Sequence, residues 1–176
     1  MFFQFMKKNN KIKIFLTKGK GRGLTEDSAY CQALREAGII NLNLIRLSSV
    51  LPHNSKIINK KPKINYQDYG KKIYVIISEA KTSQKGKKIC AGLGWIEQKN
   101  GTGHGIVLQA QANNEVKLKN NIKKSLEEIS KNNKSKSLIF PKIIYKKKIN
   151  VIIEKITCKN KPVCALVALV FDKIQE

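Results

Sequence analysis

Leu42-Asn43-Leu44-Ile45-Arg46-Leu47 runs without a break into Ser48-Ser49-Val50-Leu51-Pro52. The first six positions are rich in branched apolar residues, as a strand with a buried face requires. Two adjacent hydroxyls and a proline, which has no amide to continue a ladder, then end it. Read from the residues alone, this is a strand that stops in a polar turn. Upstream, Thr25 is placed to cap a helix, Glu26 and Asp27 suit the positive first turn, and Ala29, Ala33, Leu34 and Ala37 recur at helical spacing before Gly38 stops it. Further upstream, Lys11–Thr17 reads as a strand, and Gly19, Gly21 and Gly23 predict a loop between strand and helix.

Downstream, strands are expected at Lys72–Ser78, Lys88–Trp95 and Gly105–Ala112, with 98–103 as the turn of a hairpin between the last two. Leu118, Ile122, Leu126 and Ile129 place a second helix at Val116–Lys131, and two strands, Ile149–Thr157 and Val163–Phe171, close the chain around Lys159–Pro162. The lysine-rich segment 131–148 reads as a loop or charged face. The fold class is therefore α+β: a layered αββα sandwich of mainly antiparallel sheets with the helices outside. With 176 residues and 41% hydrophobic content, one domain over 1–176 is expected.

The formal charge of +23 invites a nucleic-acid reading, but of 35 basic residues only Arg22, Arg35 and Arg46 are arginine. Specific phosphate contacts favour the planar guanidinium, so lysines on a solvated surface are the simpler reading. A basic module that binds nucleic acid or another polyanion stays open as an alternative. The longest apolar run, Cys164–Phe171, falls far short of the roughly 20 residues of a membrane span. The start, Met1–Met6 before Lys7-Lys8, does not have the order of a secretory signal, so a cytoplasmic location without a membrane partner is expected. Cys31, Cys90, Cys158 and Cys164 show no C-x-x-C spacing and read as small buried residues, with no metal site implied. His104, between glycines, reads as a lone exposed histidine.

The segment from Ala37 to Pro52 resembles the cleavage segment of the pyruvoyl-dependent arginine decarboxylases, in which an Asn-rich strand runs into a Ser-Ser pair and a proline. Cys90-Ala91-Gly92-Leu93-Gly94-Trp95, Lys99-Asn100-Gly101 leading into Gly105–Leu108, and Cys164–Ala168 extend the similarity. The resemblance implies a proenzyme that cuts itself into 1–48 and 49–176. Ser49 would become a covalent pyruvoyl group, with no metal and no pyridoxal phosphate, and would turn arginine into agmatine and carbon dioxide. Ser48 would carry the scissile carbonyl and Asn43 a hydrogen bond beside it. Cys31, Leu34 and Val50 would fall at substrate-binding positions. A homotrimer or a dimer of trimers acting on a small amino acid is implied, rather than a nucleic-acid partner.

Two positions depart from the family pattern. Gln109 stands where the family has its proton-donating acid, and an amide cannot act as a general acid. Cys31 stands where the family has an aspartate against the substrate guanidinium. An altered substrate or lost turnover is therefore the second reading. Glu97 and Glu115 are the acids nearest Gln109 in sequence that could replace the missing donor.

Overall fold

A computed structural model describes residues 11–132 and 144–175. Four layers stack in the order helix, sheet, sheet, helix. Sheet A has five strands in the order β2-β5-β9-β1-β4, and sheet B has four in the order β3-β7-β6-β8. The elements are β1 (Ile12–Arg22), α1 (Glu26–Ala37), β2 (Asn43–Arg46), β3 (Val50–Leu51), β4 (Ser55–Asn59), β5 (Lys72–Thr82), β6 (Lys88–Glu97), β7 (Gly105–Ala112), α2 (Glu115–Asn132), β8 (Asn150–Thr157) and β9 (Val163–Gln175). Only the β1–β4 and β2–β5 pairs are parallel. The expected α+β layering with mainly antiparallel pairing is what the chain adopts.

The apolar run near the C-terminus becomes the middle of sheet A, between β5 and β1. A strand covered on both faces has no solvent side, so alternation gives way to continuous hydrophobicity. Cys164, Leu166, Ala168 and Val170 face α1, while Val167, Leu169 and Phe171 face sheet B. On sheet B, Leu118, Ile122 and Leu126 of α2 pack over Cys90 and Ile96.

The main correction concerns Gly19 and Gly21, whereas Gly23 lies beyond β1 in the expected loop before α1. β1 does not end in a loop at Gly19 but continues to Arg22, paired with β9 throughout. A Cβ on Gly19 would lie 2.1 Å from the Ala33 carbonyl oxygen, and one on Gly21 would lie 2.1 Å from that of Ala29. The glycines are a strand face stripped of side chains so that the small-residue face of α1, Ala29, Ala33 and Ala37, can lie directly on the sheet. Local breaker signals lose here to close packing. Thr17 adds a buried hydroxyl that donates to the Ala37 carbonyl at 2.8 Å.

The caps of α1 are as read. The Ser28 amide donates to Thr25 Oγ1 at 3.1 Å, the Thr25 amide donates to Ser28 Oγ at 3.0 Å, and Gly38 takes the left-handed conformation with φ 80°. Other boundaries shift: β5 runs on to Thr82, β6 to Glu97 and β9 to Gln175, and two strands, β3 and β4, were not foreseen. Cys90, Cys158 and Cys164 are buried as expected, but Cys31 is exposed on α1. His104 is not a lone exposed residue either. It is half-buried, with its ring centroid 4.8 Å from that of His53. The apolar start at Met1–Met6 and most of the 131–148 segment lie outside the described residues.

Gly21→Ala should cost about 3 kcal/mol or more, because backbone atoms on both sides must separate to admit one methyl group. Chemical denaturation checks this; a variant as stable as the unaltered chain would mean that α1 does not rest on β1 as described.

Candidate active site

β2 is an edge strand of sheet A and β3 an edge strand of sheet B, so the residues between them carry the chain from one sheet to the other. The Leu47 amide donates to the Val75 carbonyl at 2.8 Å, the last backbone bond to sheet A. The Ser49 carbonyl accepts from the Val107 amide at 2.9 Å, the first bond to sheet B. Strands that switch sheets turn a corner at such a point. Ser48 is exposed at the corner and Ser49 is half-buried. Among the described residues, neither the Ser48 carbonyl nor the Ser49 amide has a hydrogen-bond partner. The peptide joining the two serines is thus clamped on either side and free in the middle.

Gln109 lies two residues beyond Val107 on β7, about 7 Å along the strand. It pairs in register with Leu93, which faces the core between the sheets. Strand alternation therefore puts Gln109 on that face, at an exposed margin on the serine side. Val50, 62% exposed on β3, joins the same edge. Ser78 ties the two sheets together nearby, donating from Oγ to the Ala110 carbonyl at 2.8 Å.

Other expected site residues sit elsewhere within the chain. Asn43 opens β2, and its Nδ2 donates to the Gly70 carbonyl at 2.5 Å. That is four strand residues, about 13 Å, from Leu47. Leu34 belongs to the core beneath α1, and Cys31 is exposed on that helix. Glu97 holds Lys146 at 2.5 Å, and Glu115 is bonded to Lys155. The Lys155 hydrogen bond holds the Glu115 carboxyl below its ordinary range, the opposite of what a proton donor needs.

A polar cluster that sequence reading missed flanks the corner. Arg46 reaches Glu79 at 2.7 Å and lies 3.5 Å from the Tyr30 hydroxyl, while Lys81 sits 5.2 Å from the Tyr30 ring centroid and 3.7 Å from Asp27. It joins α1, β2 and β5 two residues before Ser48. Burial opposes the charge on Arg46, but the hydrogen bond and charge of Glu79, with Tyr30, outweigh it and raise its pKa. Burial, reinforced by the Glu79 charge, pushes the Tyr30 hydroxyl up to about 12. The available signal was Glu79 itself, an acid two residues after the apolar run Ile73–Ile77.

The chain's own residues fit a pyruvoyl group made in place: two adjacent serines, the second half-buried, at a corner whose central peptide is unengaged. The pyruvoyl-dependent arginine decarboxylase (PvlArgDC) family model matches residues 13–176, and the chain belongs to that family. It is 31% identical over 83 residues to the pyruvoyl-dependent arginine decarboxylase of Picrophilus torridus, covering 47% of this chain and 46% of that protein. It is 30% identical over 100 residues to that of Nitrosopumilus maritimus, covering 57% and 55%. Over 47 residues it is 43% identical to that of Methanothermobacter thermautotrophicus, covering 27% and 31%. The chain thus spans about half the length, or less, of these curated relatives. No helix among the described residues is long and apolar enough to cross a membrane.

Because the folded Tyr30 pKa lies above the unfolded value near 10, the fold favours the neutral phenol. The associated stability is present below pH 10 and is lost as pH rises towards 12. One of the five tyrosines should therefore ionise late, and Tyr30→Phe should remove that step. The alkaline loss of stability should shrink without vanishing, since burial also raises Cys164 to about 12. Spectrophotometric titration checks this; an unchanged tyrosinate curve in Tyr30→Phe would refute the assignment.

Proposed function

We propose that the chain is a proenzyme that cuts itself between Ser48 and Ser49, giving 1–48 and 49–176, and that its C-terminal product is a pyruvoyl-dependent decarboxylase of arginine or a related amino acid. The observation that carries this reading is the clamped corner. With Leu47 fixed to one sheet and Ser49 to the other, the intervening peptide has little freedom to relax, and the Ser49 hydroxyl is the nucleophile next to it.

In the proposed reaction Ser49 Oγ attacks the Ser48 carbonyl carbon, and the bond to the Ser49 nitrogen breaks as that nitrogen takes up a proton. Loss of the Cα proton then expels the Ser48 carboxylate and leaves a dehydroalanine. One water enters, ammonia leaves, and a ketone remains at the new N-terminus. That group supplies an electron sink for loss of carbon dioxide from an amine-bearing substrate.

The oxyanion formed at Ser48 needs donors, and none from the described chain reaches that carbonyl. This supports an assembly in which a second copy completes the site, a trimer or a dimer of trimers. Such an assembly would also bring Asn43, Cys31 and Leu34 of one chain towards the serines of another. Within that site Val50 would border the substrate, and Gln109 would orient it by hydrogen bonding without donating a proton. The second reading, inefficient turnover or a substrate other than arginine, rests on Gln109 and Cys31. Glu97 and Glu115, both tied to lysines, offer no ready replacement acid.

Ser49→Ala should leave the chain whole on denaturing electrophoresis, because no hydroxyl remains to attack; cutting at the same bond would sink the intramolecular mechanism. Gln109→Glu should raise carbon dioxide release from arginine, within the roughly 10²–10⁴-fold that general acid catalysis supplies. Adding Cys31→Asp should lower the apparent Michaelis constant as a charged contact is gained. If the unaltered chain matches the double variant on arginine, the roles given to positions 31 and 109 are wrong.

A further inference from the structure

β4 pairs only with Ile12–Leu16, so the second half of β1, from Lys18 to Arg22, is an open edge of sheet A. α1 and Ile156 of β8 border this edge, and the open depression of about 430 Å³ between them is lined by Lys20, Arg22, Gln32, Arg35, Glu36 and Ile156. Only three of the 35 basic residues are arginine, and two of them line this one cleft. Among the described residues, neither Arg22 nor Arg35 has a carboxylate within ion-pair distance, whereas the third arginine, Arg46, is paired with Glu79.

The groups around the two guanidiniums are held in place. Arg35 Nη1 donates to Gln32 Oε1 at 2.8 Å, which orients its planar fork. Glu36, the one carboxylate of the lining, accepts from the Lys20 amide at 3.1 Å and so caps the open strand edge. Lys20 Nζ is 4.0 Å from Glu154, whose nearer partner is Lys18 at 3.0 Å. Lys20, Arg22 and Arg35 with Glu36 in the lining, and Lys18 with Glu154 beside it, leave two positive charges in excess, which suits a single doubly charged anion.

We propose that this cleft binds a phosphate monoester, with Arg22 and Arg35 as its two forks and Ile156 as an apolar wall for the ester group. Guanidinium forks match phosphate oxygens in pairs, which lysine ammoniums cannot do. A monoester carries about −1.5 to −2 charge near neutrality, close to the local excess. A nucleic acid strand would instead need cations spaced along a track, whereas both arginines border one depression, Arg22 from the strand edge and Arg35 from α1. The inference does not rest on chemistry at the serine pair.

The test is calorimetric titration of the full chain with phenyl phosphate, inorganic phosphate and long-chain polyphosphate at low salt. Arg22→Gln and Arg35→Gln are compared with a control pair on α2, Lys117→Gln and Lys124→Gln. Saturable phenyl phosphate binding is expected, tighter than that of inorganic phosphate. Each arginine variant should weaken it about tenfold or more and the lysine pair should barely change it. Arg35→Lys, which keeps the charge and loses the fork, should also weaken it. The proposal is overturned if phenyl phosphate does not bind, if the lysine pair matters as much as the arginines, if inorganic phosphate binds equally well, or if only polyphosphate binds. Electrophoresis of the same variants reads self-cleavage separately, so failure here leaves the proposed scission standing.

Discussion

Leu47 is bonded through its amide to one sheet and Ser49 through its carbonyl to the other, with only Ser48 between them. That constraint organises the rest of the molecule. It requires β2 and β3 to be edge strands meeting at one corner, and it requires the sheets to be held in register behind them. The interior supplies the second requirement: Leu51, Leu93 and Val107 pack against Ile76, Val167 and Leu169, so the corner cannot open without exposing core. Close contact of α1 with Gly19 and Gly21 fixes the outer layer in the same way.

Electrostatics near the corner differ in kind from those of the surface. Most lysines are solvated and contribute little to stability individually. The pair formed by Arg46 and Glu79 is more enclosed, and through Tyr30 it couples the end of β2 to α1. It anchors the strand by its side chain where the ladder bonds run out. The arginines thus divide into one that holds the scaffold and two that line a surface cleft, a division invisible to net charge.

Much of this was legible in the sequence for definite reasons. The spacing of Leu118, Ile122 and Leu126 and the caps at Thr25 and Gly38 are local signals, and local structure obeyed them. The serine pair stands out as a candidate only through its resemblance to a family, since composition makes it a plain polar turn. What could not be read was set by distant partners. Gly19 and Gly21 mean a loop until a helix backbone is known to lie on them. β4 is a strand because the first half of β1 accepts it in parallel, and its own residues, Ser55 to Asn59, carry little pattern. Asn43 stands close to the serines in sequence, yet an extended strand separates them. The Arg46 and Glu79 pairing joins separate strands and leaves no periodic trace.

The central claim, that the clamped peptide at the sheet corner breaks to make the cofactor, is tested most directly by intact-mass spectrometry of the unaltered chain. The account predicts two polypeptides separated after Ser48, the larger beginning with a ketone in place of the Ser49 amine and shifted in mass by hydride reduction. One uncut polypeptide of full-length mass, unchanged by the reductant after prolonged incubation, would contradict it.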